Sequence, residues 1–492
     1  MKNPSRLARL ARPQGSRAIS ALLWVALSLS ACAVGPDYRR PALDVPETFK
    51  ESAGLWQPAA TAPPVVETAW WTRLNDPVLD TLQTQLATGN LTIQQAQARV
   101  QGARAALDGV RAGFWPQTTL SASRQRNRNS SEESRAAPPT TTVSASASLS
   151  WEIDLWGRIS RDAEAGRASL EASAEDLAAA RLAQQVLLAQ TYVQWRAAQQ
   201  QAQRLHRAAQ GYARFLSLTE NRVHAGVASP LDTSQAQTQY ASTAAQALDA
   251  QNEGARLEHA IAVLIGQSPS TFHLSSREEA VAPDTLPSWA IPEIPALIPS
   301  AVLENRPDIR AAERRVAAAN ARIGVATSAW FPTLTLSARR GAQHSALSHL
   351  LDLPHRFWSL GPSLSLALFD AGSRNAAITQ AQADHALAQA TYRQTVLNAF
   401  AEVEDQLAAV RFLAEEAQMQ SLALQAAQRA QTIARLQYEA GINSALNVIT
   451  AQNTALNAEI ASITLMSRRL QAALALFKNL GGQWQAAEHH TP

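Results

Sequence analysis

From Asn375 to Ala440 the chain runs for 66 residues without one glycine or proline, between Gly372 and Gly441. At 1.5 Å per residue such a run forms a helix of about 100 Å, several times the length usual in a globular domain. Its apolar positions Val396, Phe400, Val403, Leu407, Val410, Ala414 and Ala417 step alternately by four and three, a coiled-coil register. Alanine in that seam lets helices approach closely. A helix of this length with one apolar seam is a rod, and a rod needs neighbours.

The neighbours are supplied by a duplication. Phe114-Trp115-Pro116-Gln117-Thr118-Thr119-Leu120-Ser121-Ala122 recurs as Trp330-Phe331-Pro332-Thr333-Leu334-Thr335-Leu336-Ser337-Ala338. Ala225-Gly226-Val227-Ala228-Ser229-Pro230-Leu231-Asp232 recurs as Ala440-Gly441-Ile442-Asn443-Ser444-Ala445-Leu446-Asn447, and Ile265-Gly266-Gln267 as Gly481-Gly482-Gln483. All three matches share an offset of 215 or 216. The matching rod in the first copy runs from about Ile159 to Ala225 and tolerates Gly166 and Gly211. Each copy has one order: a helix of about 40 residues ending at the aromatic-proline step, two short alternating segments, the rod, a glycine turn, and a helix of about 35 residues.

The alternating segments read as strands. In Val143-Ser144-Ala145-Ser146-Ala147-Ser148-Leu149-Ser150-Trp151 the odd positions are apolar and the even ones serine. Ser363-Leu364-Ser365-Leu366-Ala367-Leu368 repeats the pattern, as do Leu334, Leu336 and Ala338. The expected strands are 117–125, 143–152, 333–340 and 361–369. Leu364, Leu366 and Leu368 are expected on a lipid-facing side, because about 9–11 tilted residues suffice to cross a bilayer.

The N-terminus points to the same compartment. Lys2, Arg6, Arg9, Arg12 and Arg17 precede the apolar run Ile19–Leu29, which is too short to span a bilayer. Residues 1–31 therefore read as a secretory signal. Leu29-Ser30-Ala31-Cys32 reads as a lipobox, with Cys32, the only cysteine, as the acylated residue. Ala33 in place of aspartate resembles outer-membrane sorting. Without the five signal cations the net charge of +3 becomes −2, 38 basic against 40 acidic residues. The basic isoelectric point thus gives no support for a nucleic-acid partner. After the signal no stretch of about 20 apolar residues occurs, so any crossing of a bilayer is by strands. Four strands cannot close a barrel, and open edges in lipid leave backbone groups unpaired. Several chains must share one barrel; three give twelve strands.

The ordered motifs resemble the TolC-like outer membrane factors, in the lipoprotein branch that serves RND-type exporters (OprM-like and NodT-like proteins). They are Val34-Gly35-Pro36-Asp37-Tyr38, Trp70-Trp71 with Asp76-Pro77-Val78-Leu79, Asn305-Arg306-Pro307-Asp308-Ile309 with Ala312-Glu313, Phe369-Asp370-Ala371-Gly372, and both Ala-Gly-x-x-Ser turns. The resemblance spans nearly all of the mature chain. It implies a mainly α protein with a transmembrane β-barrel: a homotrimer with a 12-stranded barrel continued by a long α-helical periplasmic tunnel. The implied divisions are a lipidated extended segment at 32–70, a first efflux-protein repeat at 71–267, a Pro-rich linker at 268–299, a second repeat at 300–483 and a disordered tail at 484–492. The implied activity is passive export of drugs or other small toxic compounds, without catalysis or cofactor. The implied partners are a periplasmic adaptor, an inner-membrane RND-type transporter and outer-membrane lipid, with no nucleic acid. A type I protein-secretion duct driven by an ABC system and a periplasmic coiled-coil scaffold are the alternatives. No Gly-x-Ser-x-Gly, P-loop or cysteine pair argues for an enzyme.

Two groups of site residues follow. Gly226, Val227, Ala228 and Ser229, with Gly441, Ile442, Asn443 and Ser444, form helix–turn–helix tips, the part of a rod that offers surface to an end-on partner. The glycines suit a left-handed helix end, and Ser229 and Ser444 can cap the following helices. The resemblance adds a gate. Leu446 falls where related ducts carry a constricting leucine, Asn447 and Thr450 where they often carry aspartate, and Asp232, Tyr438 and Asn443 where latch residues hold the closed form. His344, His349 and His355 with Asp352 lie in the expected extracellular loop and read as polar loop residues rather than a metal site.

Overall fold

The computed structural model describes residues 34–43, 45–46, 48–52, 69–128, 139–274, 306–350 and 352–482. Cys32, the signal, most of the linker and the tail lie outside the described residues. Seven helices are present among them: α1 (Pro77–Gly89), α2 (Leu91–Ala112), α3 (Arg158–His224), α4 (Pro230–Leu264), α5 (Pro307–Ser328), α6 (Ser373–Glu439) and α7 (Ala445–Asn479). Four strands complete the order, β1 (Gln117–Asn127) and β2 (Thr140–Ile153) between α2 and α3, β3 (Thr333–His344) and β4 (Arg356–Ser365) between α5 and α6. The two rods α3 and α6 are each 67 residues long, and α4 and α7 each 35, so the duplication is written in the element lengths. The chain divides into two compact units. One holds the described residues of Met1–Ala42, Gln101–Ala172 and Ala312–Tyr392; the other holds those of Leu43–Val100, Ser173–Ala311 and Arg393–Pro492.

The first unit contains one antiparallel sheet in the order β1-β2-β3-β4, with β1 and β4 at its edges. Pairing runs from Leu120↔Ala147 through Ala147↔Arg340 to Arg340↔Trp358. Because side chains alternate across a strand, this register gathers Leu120, Ala147, Leu149, Leu336, Leu360 and Leu364 on one face. The other is mostly serine and threonine with Arg339 and Phe357 among them, and there Ser123 and Ser144 hydroxyls meet at 2.9 Å and Ser121 and Ser146 at 3.1 Å. The apolar face is uneven: Leu120, Leu360 and Leu364 are exposed, whereas Val143 and Ala342 are buried with Leu350 at the loop end.

The last strand differs from expectation. It starts at Arg356 and ends at Ser365, so Leu366 and Leu368 lie beyond it and are not strand residues. Pro362 sits within β4 because β4 is an edge strand, where proline is tolerated. The ladder ends at Thr333↔Ser365 because Pro332, next along, has no N–H to extend it.

Straps from the N-terminal segment hold this unit. The Val34 N–H donates to the Trp156 carbonyl at 3.1 Å, and Arg161 donates to the Gly35 carbonyl and to Asp37. Asn320 Nδ2 donates to the Pro36 carbonyl at 2.9 Å, and the Tyr38 hydroxyl donates to Glu313. A Cβ on Gly35 would stand 2.4 Å from the Gly324 backbone, which explains glycine at both positions.

In the second unit, Trp70 packs on Phe477 at 4.8 Å between ring centroids, amid Leu79, Leu82, Leu86, Tyr192 and Ile261. Asp76 caps α1, accepting from the Val78 and Leu79 N–H groups, and also accepts from the buried Tyr192 hydroxyl at 2.8 Å. The seam of α6 is buried at Val396, Val403 and Leu407, and continues at Leu413 in place of Ala414.

The expected 40-residue first helix does not exist. It is two helices in the first copy, broken at Asn90, and a single 22-residue helix in the second. Asn90 is extended at φ −67°, ψ 120°; its Oδ1 accepts from the Ile93 N–H and its Nδ2 donates to the Leu264 carbonyl at 2.7 Å. Gly89 makes the corner possible, since a Cβ there would meet the Ile265 carbonyl at 2.1 Å. Asn90→Ala loses a cap and strands a buried carbonyl. It should lower stability by about 1–3 kcal/mol, read as a lower urea midpoint of the helical signal; an unchanged midpoint would contradict the corner's role.

Candidate functional site

Both rods stop at one kind of turn. Gly226 sits at φ 76° and Gly441 at φ 75°, a left-handed conformation that only glycine adopts without strain. The Val227 N–H donates to the Arg222 carbonyl and the Gly226 N–H to the Val223 carbonyl, both at 2.9 Å. The second copy repeats this, with Ile442 to Gln437 at 2.9 Å and Gly441 to Tyr438 at 3.0 Å. These paired bonds satisfy carbonyls that a helix end leaves free. They also leave Val227 and Ile442 projecting from the turns, 69% and 79% exposed. Each rod thus ends in one exposed apolar side chain.

The helices leaving the turns are capped differently. Ser229 accepts from the Leu231 N–H while the Asp232 carboxylate accepts from the Ser229 N–H at 3.0 Å, a reciprocal capping box. In the second copy Ser444 accepts from the Asn447 N–H at 3.4 Å, and Asn443 Oδ1 accepts from the Ser444 N–H and from Asn447 Nδ2. Ser229→Ala should cost about 1 kcal/mol and speed amide exchange in the first turn of α4. Unaltered exchange at Leu231 would show that the turn is held by other contacts.

The expected gate residues fall on two sites. Leu446, Asn447 and Thr450 share the exposed side of the first turns of α7, with Leu446 51% exposed, while Ala445, Val448 and Ile449 are buried. This exposed side carries no ionisable group from Leu446 through Thr450. Asp232 and Tyr438 are not joined: the carboxylate is engaged in its cap, and the Tyr438 ring lies against Phe215 at 5.6 Å with the Arg222 guanidinium 4.8 Å above it.

A different polar tie holds α7, one that sequence reading missed. Gln239 and Asn453 exchange two amide hydrogen bonds at 2.5 and 2.6 Å, and Asn453 also accepts from the Tyr212 hydroxyl at 3.2 Å. Burial pushes the Tyr212 phenol up to about 12, so it stays a donor at any physiological pH. The signal for this tie is faint in sequence, since glutamine and asparagine occur throughout these helices.

At the loop end of the sheet, His344 lies 4.0 Å from His355 between ring centroids, and His349 bonds Asp352 at 3.1 Å. Among the described residues no group of three histidine, cysteine or acidic side chains is arranged to hold a metal ion.

The sequence profile of the family described as Outer membrane efflux protein matches residues 82–267 and again 298–482. The toluene efflux pump outer membrane protein TtgC of Pseudomonas putida is 28% identical over 472 residues, 95% of this chain and 96% of that protein. The cation efflux system protein CusC of Escherichia coli is 29% identical over 461 residues, 94% of this chain and 98% of the other. Among solved structures, the outer-membrane channel OprN superposes with a TM-score of 0.82 at 32% identity, covering 92% of this chain and 99% of that one.

Proposed function

The chain belongs to the outer membrane efflux protein family, and we propose that it is the trimeric exit duct of a tripartite efflux pump. Three copies contribute four strands each to one 12-stranded barrel in the outer membrane. Their helices assemble into a periplasmic tunnel, and the turns at Gly226–Ser229 and Gly441–Ser444 meet a periplasmic adaptor bound to an inner-membrane RND-type transporter. Cys32 carries the acyl anchor. The transporter supplies the energy and the duct supplies a passage.

The observation that carries this reading is the two-faced sheet, with leucines on one face, hydrogen-bonded serines on the other, and open edges at β1 and β4 among the described residues. In lipid, an open edge leaves backbone groups unpaired, so only closure with other copies makes such a sheet tenable. One relative is named for toluene and another for a cation, at nearly equal identity and coverage. Cargo therefore does not follow from overall similarity, and we assign the duct a broad class, small toxic compounds.

The test uses a host lacking its own outer membrane factor but supplied with the cognate adaptor and transporter. Expression of the chain should lower accumulation of at least one amphiphilic dye, antibiotic or toxic cation in a panel. No change across the panel, with the chain present in the outer membrane, would contradict the efflux assignment.

A further inference from the structure

Resting on the barrel reading above and deepening it, we propose that β4 of each copy pairs with β1 of the next in one register, Ser363 opposite Ser121, and that this pairing extends β4 through Leu368. The two edges are matched. Among the described residues, β1 has a neighbour only in β2 and β4 only in β3. The two edge strands run in opposite directions and hold 11 and 10 residues. With β2 and β3 between them, they stand about 14 Å apart at about 4.8 Å per strand spacing. They can meet only through another copy.

Exposed apolar residues stand at the same end of both edges. Just past β4, Leu368 and Phe369 are 89% and 88% exposed, with Leu366 exposed beside them. Just before β1, Trp115 is 73% exposed and Phe114 is exposed too. The alternation of Ser363 to Leu368 runs on past Ser365, although the pairing with β3 stops there, at Thr333. That stop concerns one side of β4 only. On its other side, β1 of the neighbouring copy begins at Gln117 and carries the ladder on to Leu368. There the neighbour's Pro116 stands opposite and has no N–H to extend it. The alternation past Ser365 thus gains a partner that a single protomer does not offer.

Closure selects the register. Residues directly opposite share a face, so Gly361, on the serine face, must meet an odd-numbered residue of β1. Within one protomer the line across the strands runs Gln117, Ser150, Ser337, Gly361. Pairing Gly361 with Ser123 of the next copy advances that line six residues along β1, from Gln117 to Ser123. Three such advances tilt twelve strands by about 45°, at about 3.3 Å per residue and about 4.8 Å between strands. Pairing with Ser121 gives about 35°, whereas Thr119 or Gln125 gives about 20° or about 55°, outside the roughly 35–45° of such barrels. Side chains choose between the two that remain. With Gly361 opposite Ser121, Arg126 stands directly against Arg356 and Leu120 against Pro362. With Gly361 opposite Ser123, Leu120 meets Leu364, Arg126 meets Trp358, Ser121 meets Ser363, and Trp115 comes level with Phe369. Like charges directly opposite destabilise a sheet, and well-matched cross-strand pairs stabilise it.

The experiment oxidises paired cysteines in the full-length chain in outer membranes, with Cys32 left in place as the acylated residue. Directly opposite Cα atoms lie about 4.5–5.5 Å apart, within disulfide reach, and a shift of two residues takes them to about 7–8 Å, beyond it. S121C/S363C should therefore give covalent trimers about 10-fold more efficiently than S121C/G361C or S121C/S365C. T119C/S365C tests the same register where S121C/S363C does not assemble. T118C/L366C should cross-link as well, because Leu366 becomes a strand residue in the trimer. S123C/S144C, a pair already opposite within one sheet, should close without a change in mass. Stronger linkage in a shifted pair, or none between copies while S123C/S144C closes, would overturn the register. Absence of linkage in T118C/L366C alone would overturn the extension of β4. The two readings fail separately: native trimers that link in a shifted register contradict only this inference, whereas a membrane-inserted monomer contradicts the barrel reading itself.

Discussion

Arginine in place of Leu149 should destabilise the membrane-inserted trimer by about 2–4 kcal/mol per protomer, the cost of a cation on a barrel's lipid face near the bilayer midplane. Leu149 is the tenth of the 14 residues of β2, within its alternating apolar run Val143–Ile153, on a central strand between Thr118 and Ala338 on the apolar face. No neighbour on that face offers a countercharge: Thr118 and Ala338 are its paired residues. Ser150, one residue on, lies on the other face between Gln117 and Ser337, so Ser150→Arg should be tolerated. The readout is the temperature at which outer-membrane trimers dissociate. Equal dissociation temperatures for the two variants would mean that the apolar face does not meet lipid.

The second large effect is expected at the tip. Leu446→Ser should raise the resting conductance of trimers in planar bilayers several-fold. Leu446 is a branched apolar side chain half exposed within one protomer, flanked on the same side by Asn447 and Thr450. That exposure argues against a role in the helix core, which is filled by Ala445, Val448 and Ile449. Three copies meeting on the axis would form an apolar collar that resists hydration, and a hydroxyl there admits water. Asp232→Ala should raise conductance modestly, acting through its capping box on the turn that carries the tip. Tyr438→Phe should do less, because the contacts with Phe215 and Arg222 are made by the ring and survive loss of the hydroxyl. If Leu446→Ser trimers conduct like wild type, the constriction lies elsewhere.

Much of this fold is legible in the sequence because its strongest signals are local and repeated. A 67-residue helix needs only the absence of glycine and proline, and its stop needs only glycine at a left-handed position. The strand faces were read from a period of two in serine and apolar residues, which the register of β2 bears out. What failed depended on partners distant in sequence. The corner at Asn90 is made by the Leu264 carbonyl and the Ile265–Gly266 backbone, over 170 residues away. Gly89-Asn90 does carry the signature of a helix stop followed by a cap, but the apolar periodicity on both sides obscures it. β4 was placed too late because the expectation followed the alternation of residues 363–368, which runs past the strand's end, and Leu366 lost its strand because Pro332 ends the ladder on the neighbouring strand. The tie between Gln239 and Asn453 has no sequence signal distinct from the surrounding amides.

The central claim is that four strands per chain become a closed barrel by sharing it among three chains. Its most direct test is the native mass of the chain extracted from outer membranes in mild detergent. The account predicts a species of three times the protomer mass that dissociates to monomers only on heating. A folded, membrane-inserted monomer or dimer, with four or eight strands and open edges in lipid, would contradict it.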